Sequence, residues 1–291
     1  ILEIFLKIYL DCYPCFLQQA IRAARLAEAN EDQQFLVLQR TLSLLQSLPP
    51  DANPPEIGYQ VYQIVRELVD TQDPYHETKI ESTRQAMALY PQLKAMIRQS
   101  EDPLALAIRM SIAGNIIDFA ITDQIADLWE TVERVICQPY AIDDRQAFLA
   151  ALEHADHVLY LADNAGETVF DRLLIEELPV PVIYAVKGSP VVNDALMEDA
   201  VAAGLDTCTT LVSNGAQASG TILPLCSEEF RELYDRAPLV IAKGQANFET
   251  LSDAGAKVFC LLQVKCAIIG VDLGVPVGSI VFSQCISRSD A

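Results

Sequence analysis

Apolar positions along this chain repeat in two different ways. From Pro14 to about Trp129 they recur at three- and four-residue steps. Phe16, Ala20, Ala24 and Ala27 form one stripe, and Phe35, Leu38, Leu42 and Leu45 form another behind a cap at Asn30. That spacing puts side chains on one face of an α-helix. The segment Pro49-Pro50-Asp51-Ala52-Asn53-Pro54-Pro55 breaks the run, since proline both ends helices and opens them. Further helices are expected over about 56–70, 77–98 and 103–120, the last opening at Asp102-Pro103 with proline in its first turn.

Past Trp129 the period shortens. A helix over 143–153 leads into short unbroken apolar runs, and four of these stop at a small polar cluster. Val158 to Ala162 gives way to Asp163-Asn164-Ala165-Gly166-Glu167, and Val182 to Val186 gives way to Lys187-Gly188-Ser189-Pro190, with Asn193-Asp194 close behind. Thr209 to Val212 meets Ser213-Asn214-Gly215, and Leu239 to Ala242 meets Lys243-Gly244-Gln245-Ala246-Asn247. Runs of this kind read as buried parallel strands, each feeding a loop and a helix. The alternation persists to about Ala267. Val275 to Phe282 reads as a last strand or hairpin at the sheet edge, because proline is disfavoured in central strands. The expected class is α/β, with a mostly parallel sheet over residues 126–291 and a helical N-terminal domain over residues 1–125.

Charge narrows the partners. The formal net charge is -20 and no basic run exists, which argues against nucleic acid or an anionic membrane as partner. The apolar opening from Ile1 to Leu10 is interrupted by Glu3 and Lys7 and followed by Asp11, so it is too short and too charged for a spanning helix or a signal segment. Eight cysteines scattered over 291 residues do not form a secreted disulfide framework. A cytoplasmic location is expected.

The strand-end clusters carry the candidate chemistry. In an open α/β sheet, loops at the carboxyl ends of strands gather where ligands bind. Asp163-Asn164 puts a carboxylate and a carboxamide oxygen at one such point, and Asn193-Asp194 repeats the pairing after the next strand. Oxygen donors of this kind suit a hard cation such as Mg²⁺ or Mn²⁺. The competing reading of Asp163-Asn164 is a helix cap, with Glu167 completing a capping box. Lys187-Gly188 and Lys243-Gly244 each place a lysine beside a glycine whose backbone N–H can approach an anion. Against this stands the reading of surface lysines beside ordinary turns. Ser213, Asn214 and Gly215 add hydroxyl and N–H donors or form an ordinary turn.

Dinucleotide, P-loop and hydrolase-elbow signatures are absent. His76, His154 and His157 read as surface residues, since no partner ligands are placed near them in sequence. Cys12 and Cys15 form one C-x-x-C at a helix start, too few ligands for a tetrahedral zinc site unless Cys266 joins them in three dimensions. Buried structural thiols are the default reading.

Taken in order, Asp11-Cys12-Tyr13-Pro14-Cys15, Asp73-Pro74-Tyr75 with Lys79, Asn115 and Asp118, Asp163 to Glu167, Lys187 to Asp194, Ser213-Asn214-Gly215, Lys243 to Asn247, and Asp272 to Gly278 resemble the motifs of the damage-control phosphatase family. That family was long catalogued as domain of unknown function 89, and the likeness is to its prokaryotic branch with an N-terminal C-x-x-C. It covers nearly the whole chain. The resemblance implies a Rossmann-like three-layer α/β domain packed with helices, and hydrolysis of phosphate monoesters of small, damaged or surplus metabolites such as sugar phosphates. It also implies a divalent metal (Mn, Co, Ni or Mg). By position, Asp163, Asn164 and Asp194 match the metal ligands. Glu167, Asn193, Lys243, Asn247 and Lys265 match positions near substrate or phosphate, and Asn115 and Asp118 are further motif residues of the family. Gln245-Ala246 replaces the Asp-Leu of some eukaryotic relatives, so their sugar specificity does not transfer.

The expected mechanism has a metal-oriented water attack the phosphorus in line while Lys243, Gly244 and neighbouring N–H groups neutralise the phosphoryl oxygens. Asp163 as a covalent nucleophile is the alternative. The rival function is a non-catalytic, metal-dependent sensor of a phosphorylated metabolite, or a redox scaffold on the cysteine pair. The sequence assigns no oligomeric state.

Overall fold

The computed structural model describes residues 8–49, 52–117 and 125–285. Three helices come first: α1 (Cys12–Leu26), α2 (Glu31–Gln46) and α3 (Pro54–Val69). Local chemistry sets their starts. Asn30 accepts from the Gln33 N–H at 2.9 Å while the Gln33 side chain accepts from the Asn30 N–H at 3.0 Å, which satisfies two orphan donors of α2. Asn53 caps α3, whose first residue is Pro54. The stripe Phe16, Ala20, Ala24 is buried as its spacing predicts. On α2 the buried face is instead Val37, Thr41 and Leu45, with Phe35 and Leu42 exposed. Thr41 returns its hydroxyl to the Val37 carbonyl at 2.8 Å, so a polar residue is buried at no hydrogen-bond cost and the face turns away from Phe35.

Two long helices, α4 (His76–Gln99) and α5 (Pro103–Ile117), and α6 (Ile125–Cys137) follow. Then come β1 (Tyr140–Asp143), α7 (Arg145–Leu152), β2 (Val158–Leu161), α8 (Thr168–Ile175), β3 (Val182–Val186), α9 (Met197–Ala202) and β4 (Thr210–Ser213). The chain closes with α10 (Glu228–Arg236), β5 (Val240–Lys243), α11 (Gly244–Leu251), β6 (Val258–Gln263), α12 (Ala267–Leu273) and β7 (Ile280–Gln284). The seven strands lie in the order β1-β7-β6-β5-β2-β3-β4, parallel throughout except for the antiparallel β6/β7 pair. This is the expected α/β class with a mostly parallel sheet.

Alternation along the strands builds the layers. Val158 and Tyr160 of β2, Val182 and Tyr184 of β3 and Ile241 of β5 face a core shared with Leu89, Leu93, Ile108 and Ala113 of α4 and α5. Leu159, Leu161, Val240 and Ala242 face the opposite side with Phe230, Phe248 and Ile269 from α10, α11 and α12. Helices α1 to α3 have their own apolar core, which takes in Val191 from the sheet half. Among the described residues no helix is long and apolar enough to cross a membrane.

Two expectations change. The last strand is not an edge, because β7 sits between β1 and β6 and its Ile280, Val281 and Phe282 are fully buried. Pro276 falls in the turn before the strand, so no ladder donor is lost. The edge is taken by β1, four residues of half-exposed chain that periodicity does not flag.

Candidate active site

The sheet reverses direction of winding at β2. From β2 the chain moves outward to β3 and β4, then returns to place β5 on the other side of β2. The crevice outside the strand ends at such a switch point is where α/β sheets bind ligands. Asp163 follows β2 and Gly244 follows β5, so both loops open on it. They meet closely: a Cβ on Gly244 would overlap the Asp163 carboxylate, and Gly244 holds φ +78.

Backbone bonds fix the first two clusters to each other. Ala195 N–H donates to the Asp163 carbonyl at 2.8 Å and Ala165 N–H to the Asn193 carbonyl at 2.9 Å, which makes a one-residue antiparallel bridge between Asn164 and Asp194. Val192, just before the pair, is held at φ 43. A β-branched residue in that region is strained, and such strain collects at functional sites. The cap reading of Asp163-Asn164 is excluded, because the N-cap position of α8 is Glu167 and no side chain caps the helix.

The side chains form a buried acidic cluster. Asp163, Asn164 and Asp194 are 6%, 4% and 3% exposed. Asp163 Oδ2 accepts from the amides of Asn115 and Asn164, each at 2.8 Å, and the same two amides donate to Glu167 Oε2 at 3.0 Å. Asp194 Oδ1 accepts from Ser219 at 3.1 Å, whereas its Oδ2 has no hydrogen-bond partner and lies 3.5 Å from Lys187 Nζ. Burial, then the Glu167 and Asp194 carboxylates, hold Asp163 well above the usual carboxylate range, against the pull of Lys265 and Lys187. Asp194 is pushed up to about 6, mainly by burial, with Lys187 acting the other way.

Beneath lies a second ionic group in which every partner is matched. Lys243, at the end of β5, is fully buried and donates to Glu167 Oε1 at 2.6 Å, Asp171 Oδ1 at 2.6 Å and the Ser111 carbonyl at 3.0 Å. Asp171 also accepts from Tyr160 and Tyr184, each at 2.7 Å, and from Ser111 at 3.1 Å. Burial draws the Lys243 pKa down, but Asp171 and Glu167 outweigh it and hold it above the ordinary lysine value. All three ammonium protons are engaged, so Lys243 does not present a donor to a phosphoryl group. This corrects the expectation that it contacts phosphate: it positions Glu167 from below.

Other expected residues fall into distinct places. Asn247 is fully buried and ties α11 to the β2 end, donating to the Ala162 and Lys243 carbonyls at 3.2 and 2.8 Å and accepting from Thr221 at 2.7 Å. Ser213, Asn214 and Gly215 form an ordinary turn: the Ser213 hydroxyl accepts from the Gly215 N–H and the Asn214 side chain from the Ala216 N–H. They buttress the Lys187 loop, whose Gly188 N–H donates to the Ala216 carbonyl. Lys187 is buried and donates to the Gly220 carbonyl. Lys265 is half-buried, and its charge acts on Asp163. Asp118 lies outside the described residues.

Cys12 and Cys15 are not in this site. They begin α1, in electrostatic reach of Cys266 and Glu249. Burial raises both thiols, which makes them less reactive than free cysteine. Among the described residues no group of three or more His, Cys, Asp or Glu side chains is arranged to hold a metal ion. The oxygen donors that could hold a cation at the strand ends are the Asp163 and Asp194 carboxylates and the Asn164 carboxamide. Asp171, Tyr160, Tyr184 and Ser111 escaped the sequence reading. Its one usable signal was Asp171 itself, a carboxylate four residues after Glu167.

Fold and site together define an α/β protein with a buried acidic centre at the sheet's switch point. The model of the damage-control phosphatase ARMT1-like domain matches residues 8–281, and the chain belongs to that family. A damage-control phosphatase of Pyrococcus horikoshii is 32% identical over 283 residues, covering 95% of this chain and 97% of that one. One from Archaeoglobus fulgidus is 31% identical over 288 residues, covering 95% and 98%. The crystal structure of a family protein from Pyrococcus horikoshii superposes with a TM-score of 0.89 at 32% identity, over 96% of this chain and 99% of that one.

Proposed function

We propose that this chain is a divalent-metal-dependent phosphatase acting on phosphate monoesters of small metabolites, with Asp163, Asn164 and Asp194 as the metal's protein ligands. The observation that carries the reading is Asp194 Oδ2, buried beside a second carboxylate at the switch point without a hydrogen bond, the Lys187 ammonium standing 3.5 Å away. Buried carboxylates in excess of their cations are costly, and a hard cation relieves that cost. Two carboxylates and a carboxamide oxygen are a donor set that suits Mg²⁺, Mn²⁺, Co²⁺ or Ni²⁺. When bound, such an ion polarises a phosphoryl oxygen and lowers the pKa of a bound water.

The chain's own residues do the rest. Asn115 and Glu167 fix the orientation of Asp163 and Asn164, and Lys243 fixes Glu167. Lys265 and Lys187 supply positive charge toward Asp163, where phosphoryl oxygens gain negative charge as the ester bond breaks. Asp163 either orients the attacking water or attacks phosphorus itself. Phosphate release from a panel of monoesters, with and without each metal, tests the proposal. Release that requires metal and stops with chelator supports it. Tight binding of an ester without release would make the protein a sensor.

A further inference from the structure

Two lysines stand at strand ends beside buried carboxylates, and the chain treats them differently. Lys243, at the end of β5, closes on Glu167 and Asp171 at 2.6 Å each. Lys187, one residue past β3 and 3% exposed, stops 3.5 Å from Asp194 Oδ2, which is left without a hydrogen bond. A formed lysine–carboxylate bond ordinarily measures about 2.7–2.9 Å. The Lys187 ammonium is instead held by the Gly220 carbonyl. The residue before that glycine, Ser219, donates its hydroxyl to the other Asp194 oxygen, Oδ1, at 3.1 Å. Two adjacent residues therefore grip both members of the ion pair.

That grip rests on a fixed support. Ser219 and Gly220 lie in the connection between β4 and α10. Ahead of them, Gln217 donates to the Pro190 carbonyl at 3.1 Å and accepts from Gln63 of α3 at 2.9 Å. Behind them, the Thr221 N–H donates to the Thr250 hydroxyl at 3.0 Å and the Thr221 hydroxyl to Asn247 at 2.7 Å. Gly220 takes φ +71, and a Cβ on it would come within 2.4 Å of the Ala246 carbonyl oxygen, so the loop lies close against α11. Ser219 is half-exposed, and its hydroxyl can be removed without opening a core cavity.

We propose, on the footing of the metal reading, that Ser219 and Gly220 form a strap that keeps Lys187 and Asp194 apart, and that Ser219 is a positioning residue for the cation. Held through Oδ1, the Asp194 carboxylate is kept from turning to the ammonium, and the ammonium, bonded to Gly220, is kept from advancing. Oδ2 retains its lone pairs for an ion. A carboxylate closed on a lysine is a poor ligand, because a cation must then displace a charge-assisted bond and lie beside a second positive charge. Lys187 stands near enough to offset part of the buried acidic charge in the metal-free protein and far enough to leave the ligand open. Losing the serine should therefore harm the metal site only while the lysine is present.

The test is Mn²⁺ binding by calorimetry in wild type, Ser219→Ala, Ser219→Thr, Lys187→Met and the double variant Ser219→Ala with Lys187→Met. Ser219→Ala should bind Mn²⁺ roughly tenfold more weakly or worse, the effect of losing one hydrogen bond to a charged group. Ser219→Thr keeps the hydroxyl and should bind as wild type does. Lys187→Met alone should bind more tightly than wild type, and added to Ser219→Ala it should restore most of the lost affinity, since no ammonium is left to close on Asp194. A serine that only supported the loop would not be rescued by removing a lysine. Undiminished binding in Ser219→Ala, a threonine loss equal to that of alanine, or a double variant no better than Ser219→Ala overturns the strap while the metal reading stands. Should Ser219→Ala fold poorly, Lys187→Met alone still decides, because equal or weaker binding there overturns the proposal. A wild type that binds no Mn²⁺ removes the metal reading and the strap with it.

Discussion

Two buried ionic groups share the strand ends of this molecule and differ in one respect. Around Lys243, three acceptors meet three ammonium protons, and Asp171 is bonded by two tyrosines and a serine. Around Asp163, burial and then the Glu167 and Asp194 carboxylates raise its pKa, and Asp194 Oδ2 makes no hydrogen bond, with Lys187 3.5 Å away. Glu167 belongs to both, with Oε1 on Lys243 and Oε2 on the two asparagine amides. The first group is complete within the chain and holds the scaffold. The second leaves Asp194 Oδ2 without a hydrogen bond, and we propose that a bound cation completes it. Burial and charge alone do not mark a functional site; unmatched burial does.

Removing Lys243 should sharpen that contrast most. Lys243→Ala leaves Glu167 and Asp171 buried without their cation, and the expected cost is about 3–5 kcal/mol in denaturant unfolding. An unfolding midpoint near wild type would show that this group is not structural. Asp163→Asn makes the opposite change, deleting one of several repelling carboxylates. The metal-free variant should melt at or above the wild-type temperature, while the rise in melting temperature that Mn²⁺ gives wild type should vanish.

Glu249 extends the comparison away from the site. It accepts from Gln245 at 2.9 Å, and burial pushes its carboxyl from 4.5 up to about 7. A raised carboxyl binds more protons folded than unfolded between those values, so it makes stability fall as pH rises from 4.5 to 7 and level off above. The full effect is on the order of 3 kcal/mol, and Glu249→Gln should flatten that part of the melting-temperature profile. An unchanged profile would mean that the carboxyl is solvated. The smallest effect is expected at the cysteine pair. Cys12→Ser with Cys15→Ser should keep phosphate release within a few-fold, because neither thiol reaches the acidic cluster; complete loss in a cooperatively melting protein would contradict that placement.

What could be read in advance follows from where the information lies. Strands β2, β3 and β5 were legible because both of their faces are buried, which writes an unbroken apolar run ending at the polar cluster. Strand β1 was not, since its residues alternate between half-buried and exposed and borrow their pairing from β7, far along the chain. Asp163, Asn164 and Asp194 were legible as a group because consecutive parallel strands commonly pair, as β2 and β3 do. The role of Lys243 was not, because two of its three partners are Ser111, on a helix from the other half of the chain, and Asp171, one turn past Glu167. A lysine after a strand looks the same in sequence whether it faces a ligand or a buried carboxylate.

The central claim is that the unmatched acidic group is a metal site serving phosphate release. Mn²⁺ binding by calorimetry and phosphate release from a sugar phosphate, followed over the same metal concentrations in wild type and Asp194→Asn, test it most directly. The account predicts that wild-type turnover rises in step with Mn²⁺ occupancy and that Asp194→Asn loses both together while remaining folded. Turnover that persists in chelator, or a variant that binds Mn²⁺ as tightly as wild type, would contradict it.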